Sequence, residues 1–318
     1  MISSIVAEIR RNNSFLITTH ESPDGDAIGS LLAFGNYLSR LGKDVFLYTK
    51  DPVPEVYRFL PMAEKVRQDL PERDFDVTIV LDVGEFRRAG EVFATFQGHG
   101  TYINIDHHLH CERFGDINLI DAAASATGAL VFRIIREAGD DIDFNTAICI
   151  YTAVITDTGS FRYSNANPEA FAIAGEMIAK GVNAWDIAEK LYESQPRERL
   201  ELLALALATL TVSARGDYAS ITVTLDMYEQ SGSSSELTDG FVNYPRSISG
   251  VEVAVFFREL ELNLYKVGFR SKGKVNVAEL AAAFGGGGHH NAAGCTLAGS
   301  LAEVRATMFA HLEQALAG

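Results

Sequence analysis

Residues 14–30 read SFLITTHESPDGDAIGS, and this stretch decides the fold. Ser14–Thr19 is a short apolar run, as in a strand covered on both faces. His20, Asp24 and Asp26 follow in a loop where Pro23 and Gly25 favour a turn. An amphipathic segment, Ala27 to Leu41, starts at once and stops at Gly42. Strand, acidic loop and helix in that order open an α/β unit.

The pattern recurs downstream. Val45–Tyr48, Val77–Leu81 and Tyr102–Ile105 read as further buried strands, and Ile117–Ile120 as an edge strand. Helical patterns take over at Ser125–Ala138, before Gly139, and at Asn145–Ile155. Another helix opens at Asn167-Pro168, with a cap and a proline at its first position, and ends at Gly181. Trp185 is expected to pack on a helical face. Residues 1–190 therefore form an open, mainly parallel sheet flanked by helices. Residues 191–215 are expected as a helical connector, with its long helix over Arg197–Thr211. Residues 216–318 form a smaller C-terminal α/β domain. Its strands are expected at Tyr218–Leu225, Val251–Glu259 and Leu262–Arg270, the last two a hairpin turning at Leu260–Glu261. Helices are expected at Val277–Phe284 and Ser300–Ala317.

Composition narrows the class. The chain has 318 residues, enough for two cores, and a net charge of −15. That charge speaks against gripping long duplex DNA through a basic face. No apolar run reaches membrane-spanning length and residues 1–13 lack a signal-peptide core, so a cytoplasmic protein with no membrane partner is expected. Three cysteines without C-x-x-C spacing give neither a disulfide framework nor a zinc ribbon, and Cys149 reads as a buried helix residue.

The acids and histidines cluster at strand ends. His20, Asp24 and Asp26 follow the first strand, Asp82 closes the third, and Asp106, His107 and His108 close the fourth. Each stretch alone suits a turn or a helix cap. In an open parallel sheet, however, the carboxyl ends of strands meet on one rim, where ligands bind. Asp157, at the end of the Asn145–Ile155 helix, can cap the same cleft. Oxygen and imidazole donors gathered on one rim suit a pair of divalent ions, and hence metal-assisted hydrolysis, with a phosphate ester as the expected substrate.

The stretches HESPDGDAIGS, LDVG, IDHH and TDTGSF resemble the signature segments of the DHH phosphoesterase superfamily, named for the motif standing here as Asp106-His107-His108. The resemblance spans both domains and points to the nanoRNase branch, where the C-terminal part is a DHH-associated domain. It implies two divalent ions, Mn²⁺ in preference. One would use His20, Asp24 and Asp82; the other Asp26, Asp82, His107 and Asp157, with Asp82 shared. Asp106 would orient a histidine, and His108 would face the substrate and assist the leaving group.

The second signal is Gly285–Gly288 followed by His289 and His290. Glycines let backbone N–H groups approach an anion closely. The segment GGGGHHNAAG, with Phe269-Arg270-Ser271, resembles the DHH-associated domain, which implies substrate binding by Arg270, Gly287, Gly288 and His289. The implied activity is hydrolysis of very short RNA to mononucleotides, together with dephosphorylation of 3′-phosphoadenosine 5′-phosphate. A cyclic or linear dinucleotide phosphodiesterase is the alternative. Closure of the two domains on each other is expected to bring both groups to the substrate. The oligomeric state stays open, a homodimer being compatible with the sequence.

Overall fold

The structure, a computed structural model, describes residues 1–316 apart from the side chain of His289. The chain divides into two compact units, Met1–Ser194 and Gln195–Gly318. The first is built on β1 (Ser14–Thr18), β2 (Asp44–Tyr48), β3 (Val77–Leu81), β4 (Thr101–Asp106) and β5 (Ile117–Ile120). Their order is β2-β1-β3-β4-β5, and every neighbouring pair is parallel. The order reverses between β1 and β3, a switch point that opens a crevice at the carboxyl ends of the strands.

Both faces of this sheet are covered, which is why its strands read as continuous apolar runs. On one face Phe15, Ile17, Val77, Ile79, Leu81, Ile103 and Ile105 meet helices α1 (Ile2–Arg11) and α2 (Gly25–Arg40). The opposite face is a thinner, aromatic layer in which Leu16 and Val80 pack on Tyr48, Phe75 and Phe93, the last from the short α3 (Glu91–Ala94). Helices α4 (Thr127–Ala138), α5 (Phe144–Asp157), α6 (Pro168–Ala179) and α7 (Ala184–Ala188) complete the first layer. Helix α1 was not foreseen; Ile5, Val6 and Ile9 form its buried stripe. Cys149 is buried in α5 as expected, whereas Trp185 is 61% exposed and does not pack.

Glycine sets how closely α5 nests against α2 and α4. A Cβ on Gly29 would stand 2.8 Å from Ala153 N and Cys149 O, and one on Gly128 2.5 Å from Ala153 Cβ. A side chain at either position would push α5 outward, and α5 carries Asp157 at its last residue.

The second unit starts with α8 (Arg197–Ala208). This helix, expected as a connector, places Leu202, Leu203 and Ala206 in a core with Ile221, Val223, Phe241 and Phe256. It continues through β6 (Thr211–Val212), β7 (Tyr218–Val223), α9 (Leu225–Ser231), α10 (Asn243–Arg246), β8 (Val253–Glu261), β9 (Leu264–Ser271), α11 (Val277–Ala282), β10 (Gly287–His289), β11 (Ala292–Ala298) and α12 (Leu301–Ala315). Ala317, expected in the last helix, lies outside the described residues. The six strands form one mixed sheet, β10-β11-β9-β8-β7-β6, in which only β7 and β8 run parallel. Among the described residues no helix is long and apolar enough to cross a membrane.

Two local expectations fail here for physical reasons. The hairpin turns two residues later than expected, because Asn263 adopts the left-handed conformation (φ 60) a tight turn needs. The glycine run, expected to let backbone N–H groups approach an anion, becomes strand β10 from Gly287. Its glycines serve close packing: a Cβ on Gly286 would stand 2.2 Å from Gly294 O, and one on Gly288 2.4 Å from Ala292 O.

Candidate metal centre

The rim at the ends of β1, β3 and β4 brings the expected residues together. His20 Nε2 lies 3.9 Å from Asp24 Oδ2 and 3.9 Å from Asp82 Oδ2. His107 Nε2 lies 3.7 Å from Asp26 Oδ2, 3.6 Å from Asp82 Oδ1 and 3.7 Å from Asp157 Oδ2. The two oxygens of Asp82 thus face two different ligand groups. All these gaps exceed hydrogen-bond length, roughly 2.7–3.2 Å, although the atoms point at one another. That is how ligands of a shared ion stand. Asp82 itself adopts a left-handed backbone conformation (φ 61) as β3 ends, unusual for a residue with a side chain.

Electrostatics support the same reading. Four carboxylates meet here, and the only ion-pair partners they have among the described residues are imidazoles, those of His20, His107 and His108. Burial, and then the neighbouring Asp26 and Asp24, push Asp82 well above the usual carboxylate range. Asp26 is raised by burial, against the pull of His107. Asp157 is pushed up to about 7 by burial and by Asp26. Burial lowers His20. For His107, burial is outweighed by Asp26, Asp157 and Asp106, and its pKa rises. Carboxylates crowded until they hold protons are short of positive charge, and divalent cations supply it. Oxygen donors with some imidazole and no thiolate fit a hard or borderline divalent ion.

Several residues that hold these ligands gave no signal in the sequence. Both oxygens of Asp26 cap α4: Oδ2 accepts from Thr127 N at 2.6 Å and Oδ1 from Gly128 N at 2.9 Å, with Ser30 Oγ also donating at 2.8 Å. Helix α4 has no cap of its own. Thr127 Oγ1 donates to Asp82 Oδ1 at 2.9 Å, so one residue ties together two carboxylates from different loops. Asn165 Nδ2 donates to Asp157 Oδ2 at 2.9 Å and to Ser125 O at 2.9 Å. Such contacts join residues far apart in the chain, and only the fold makes them visible.

Asp106 and His108 form a separate pair on the same rim. Asp106 Oδ1 accepts from His108 N and from His108 Nδ1, both at 2.7 Å, and Oδ2 accepts from Gly84 N at 2.7 Å. Burial alone would raise Asp106, but these donors outweigh it and hold it at about 2. An ionised Asp106 requires a proton on His108 Nδ1, which fixes the ring.

In the second unit Arg270, Ala292 and His289 are register partners across β9, β11 and β10. The backbones of two expected substrate-binding residues therefore share one row, next to Gly287 and Gly288. Arg270 Nη1 donates to Phe269 O at 3.0 Å. The His289 side chain lies outside the described residues. Phe257 is buried in the core of this unit, whereas Tyr244 is exposed.

A two-part chain with this parallel sheet and this acidic rim matches known proteins throughout its length. The family model for the DHH family N-terminal domain matches residues 14–154, and that for the DHHA1 domain matches residues 219–318. The chain is 34% identical over 298 residues to the bifunctional oligoribonuclease and PAP phosphatase NrnA of Thermus thermophilus, covering 93% of this chain and 88% of that protein. It is 25% identical to the protein of the same description from Bacillus subtilis, covering 93% of each. The crystal structure of an exopolyphosphatase-related protein from Bacteroides fragilis superposes with a TM-score of 0.90 at 32% identity, over 99% of this chain and 95% of that one. The chain belongs to the DHH family. It is a hydrolase of phosphate esters that depends on divalent metal ions.

Proposed function

We propose that this protein hydrolyses very short oligoribonucleotides to mononucleotides and also removes the 3′-phosphate of 3′-phosphoadenosine 5′-phosphate. The observation that carries the chemistry is Asp82, whose two oxygens face His20 and Asp24 on one side and His107 on the other, His107 in turn facing Asp26 and Asp157. The substrate class rests on similarity to the oligoribonuclease and PAP phosphatase NrnA over 93% of the chain.

In this reading His20, Asp24 and Asp82 hold one divalent ion, and Asp26, Asp82, His107 and Asp157 the other; Mn²⁺ is the proposed native metal. When bound, the ions supply an activated water and Lewis-acid stabilisation of the phosphoryl oxygens. His108, held by ionised Asp106, delivers a proton from Nε2 to the departing oxygen. Thr127 and the α4 amides keep Asp82 and Asp26 in place. Arg270, Gly287, Gly288 and His289 bind the phosphate and nucleotide. Short substrates suit a chain of charge −15 better than long duplex DNA.

The test is a product time course with Mn²⁺ on end-labelled di- to pentaribonucleotides, cyclic dinucleotides and 3′-phosphoadenosine 5′-phosphate. Linear oligomers cleaved to mononucleotides are expected. Faster hydrolysis of a cyclic dinucleotide would favour the dinucleotide phosphodiesterase reading. Asp82→Ala with undiminished metal-dependent turnover would end the two-ion assignment.

A further inference from the structure

Arg88 sits in the short turn Phe86–Ala89 that follows Gly84. Its carbonyl accepts from Glu21 N at 2.6 Å, which ties this turn to the loop carrying His20. Its guanidinium donates through Nη1 to Val83 O at 3.1 Å. Neighbouring Arg87 pairs with Glu85, but no carboxylate pairs with Arg88 among the described residues. A guanidinium has five N–H donors, and Val83 takes one.

The place of this cation is the informative part. A Cβ on Gly84 would stand 3.7 Å from Arg88 Nη1 and 3.8 Å from the His108 ring. Guanidinium and imidazole therefore border the same small gap above Gly84. Arg88 is half-buried, and its one side-chain bond among the described residues goes to a backbone carbonyl, so its guanidinium keeps donors to spare. Its remaining donors, fixed in a planar fork, suit a multidentate oxyanion such as phosphate.

We propose that Arg88 is a phosphate-binding catalytic residue that takes a non-bridging oxygen of the phosphoryl group under attack, beside His108. The proposal rests on the phosphoesterase reading above and adds a cation from the first unit itself, independent of Arg270. Because every substrate shares the attacked phosphoryl group, the effect of losing Arg88 should not depend on substrate length.

The experiment compares wild type, Arg88→Ala and Arg88→Lys in the Mn²⁺-loaded full chain. Arg88→Ala should lower kcat/KM by about 100-fold, the scale of removing one transition-state donor, and equally on diribonucleotide, pentaribonucleotide and 3′-phosphoadenosine 5′-phosphate. Arg88→Lys, which keeps charge but not the fork, should lose roughly 10-fold. Binding of inorganic phosphate, followed by calorimetry, should weaken about 10-fold in Arg88→Ala, while Mn²⁺ affinity and melting temperature stay at wild-type values. Unchanged phosphate affinity in Arg88→Ala would overturn the proposal. So would a loss of activity accompanied by weaker Mn²⁺ binding or a lower melting temperature, since Arg88 would then only hold the Val83 turn. If wild type itself turned over none of these substrates, the functional reading would fail separately, and the phosphate titration would still decide the role of Arg88.

Discussion

Replacing Thr127 by valine removes one hydroxyl and keeps the shape. The backbone N–H of residue 127 still serves Asp26, so the change isolates the 2.9 Å bond from Oγ1 to Asp82 Oδ1. Both residues are buried, with Thr127 at 0% and Asp82 at 2% exposure, and water cannot replace the lost donor. A hydrogen bond to an ionised group contributes about 1.5–3 kcal/mol, against about 0.5–1.5 kcal/mol for a neutral one. A bound cation favours the ionised form of Asp82, whereas without one burial and the neighbouring carboxylates raise its pKa and favour the neutral form. The loss therefore falls mainly on the loaded state. At about 1.4 kcal/mol per tenfold, Mn²⁺ should bind some 10- to 100-fold more weakly. The metal-free melting temperature should drop by only about 2–4 °C, the shift expected for about 1 kcal/mol in a unit of this size. The assay is a calorimetric Mn²⁺ titration of metal-free wild type, Thr127→Val and Thr127→Ser. Serine keeps the hydroxyl and should bind within about threefold of wild type. If valine binds as tightly as wild type, or serine loses as much as valine, the bond does not position Asp82 and the reasoning is wrong.

Asn165→Ala removes the donor to Asp157 Oδ2 and should weaken Mn²⁺ binding about tenfold, the usual scale for a residue that orients a metal ligand; retention of full affinity would show that the helix alone places Asp157. The metal-free protein should become less stable as pH rises. Asp82, Asp26 and Asp157 have folded pKa values above their unfolded ones, Asp157 near 7, so their stabilisation is complete below the unfolded value and is lost as pH climbs through the folded one. Melting temperatures between about pH 5 and about pH 8 should fall without metal and recover with Mn²⁺, and a flat metal-free profile would contradict this. Gly29→Ala forces a methyl to within 2.8 Å of the α5 backbone; a cost of about 1–3 kcal/mol is expected in chemical denaturation, and an unchanged midpoint would mean that α5 moves aside freely.

The legible parts of the fold were those written in local pattern. β3 matched its expected bounds because a strand covered on both faces is apolar at nearly every position, and β5 matched as the expected edge strand. The acidic rim was legible because His20, Asp82 and Asp106 each stand at or just past a strand end, and parallel pairing does the rest. What stayed hidden depends on distant contacts. Thr127 and Asn165 read as ordinary helix-start and loop residues until α4 and α5 are packed. α8 read as a connector because its apolar positions do not reveal that β7 and β8 lie beneath them. The glycines of β10 suggested an anion grip, yet Gly286 and Gly288 are small because β11 runs against them.

The left-handed turn at Asp82 has a consequence for how this protein would evolve under artificial selection. At that dihedral an L-residue carries a conformational cost that glycine escapes, on the order of 1 kcal/mol, and the buried carboxyl adds to it. With residue 82 as the shared ligand proposed above, catalysis and foldability pull this position in opposite directions. A library screened only for heat resistance in metal-free medium would drift toward glycine at residue 82. Its survivors would be sturdier proteins that had quietly ceased to be enzymes.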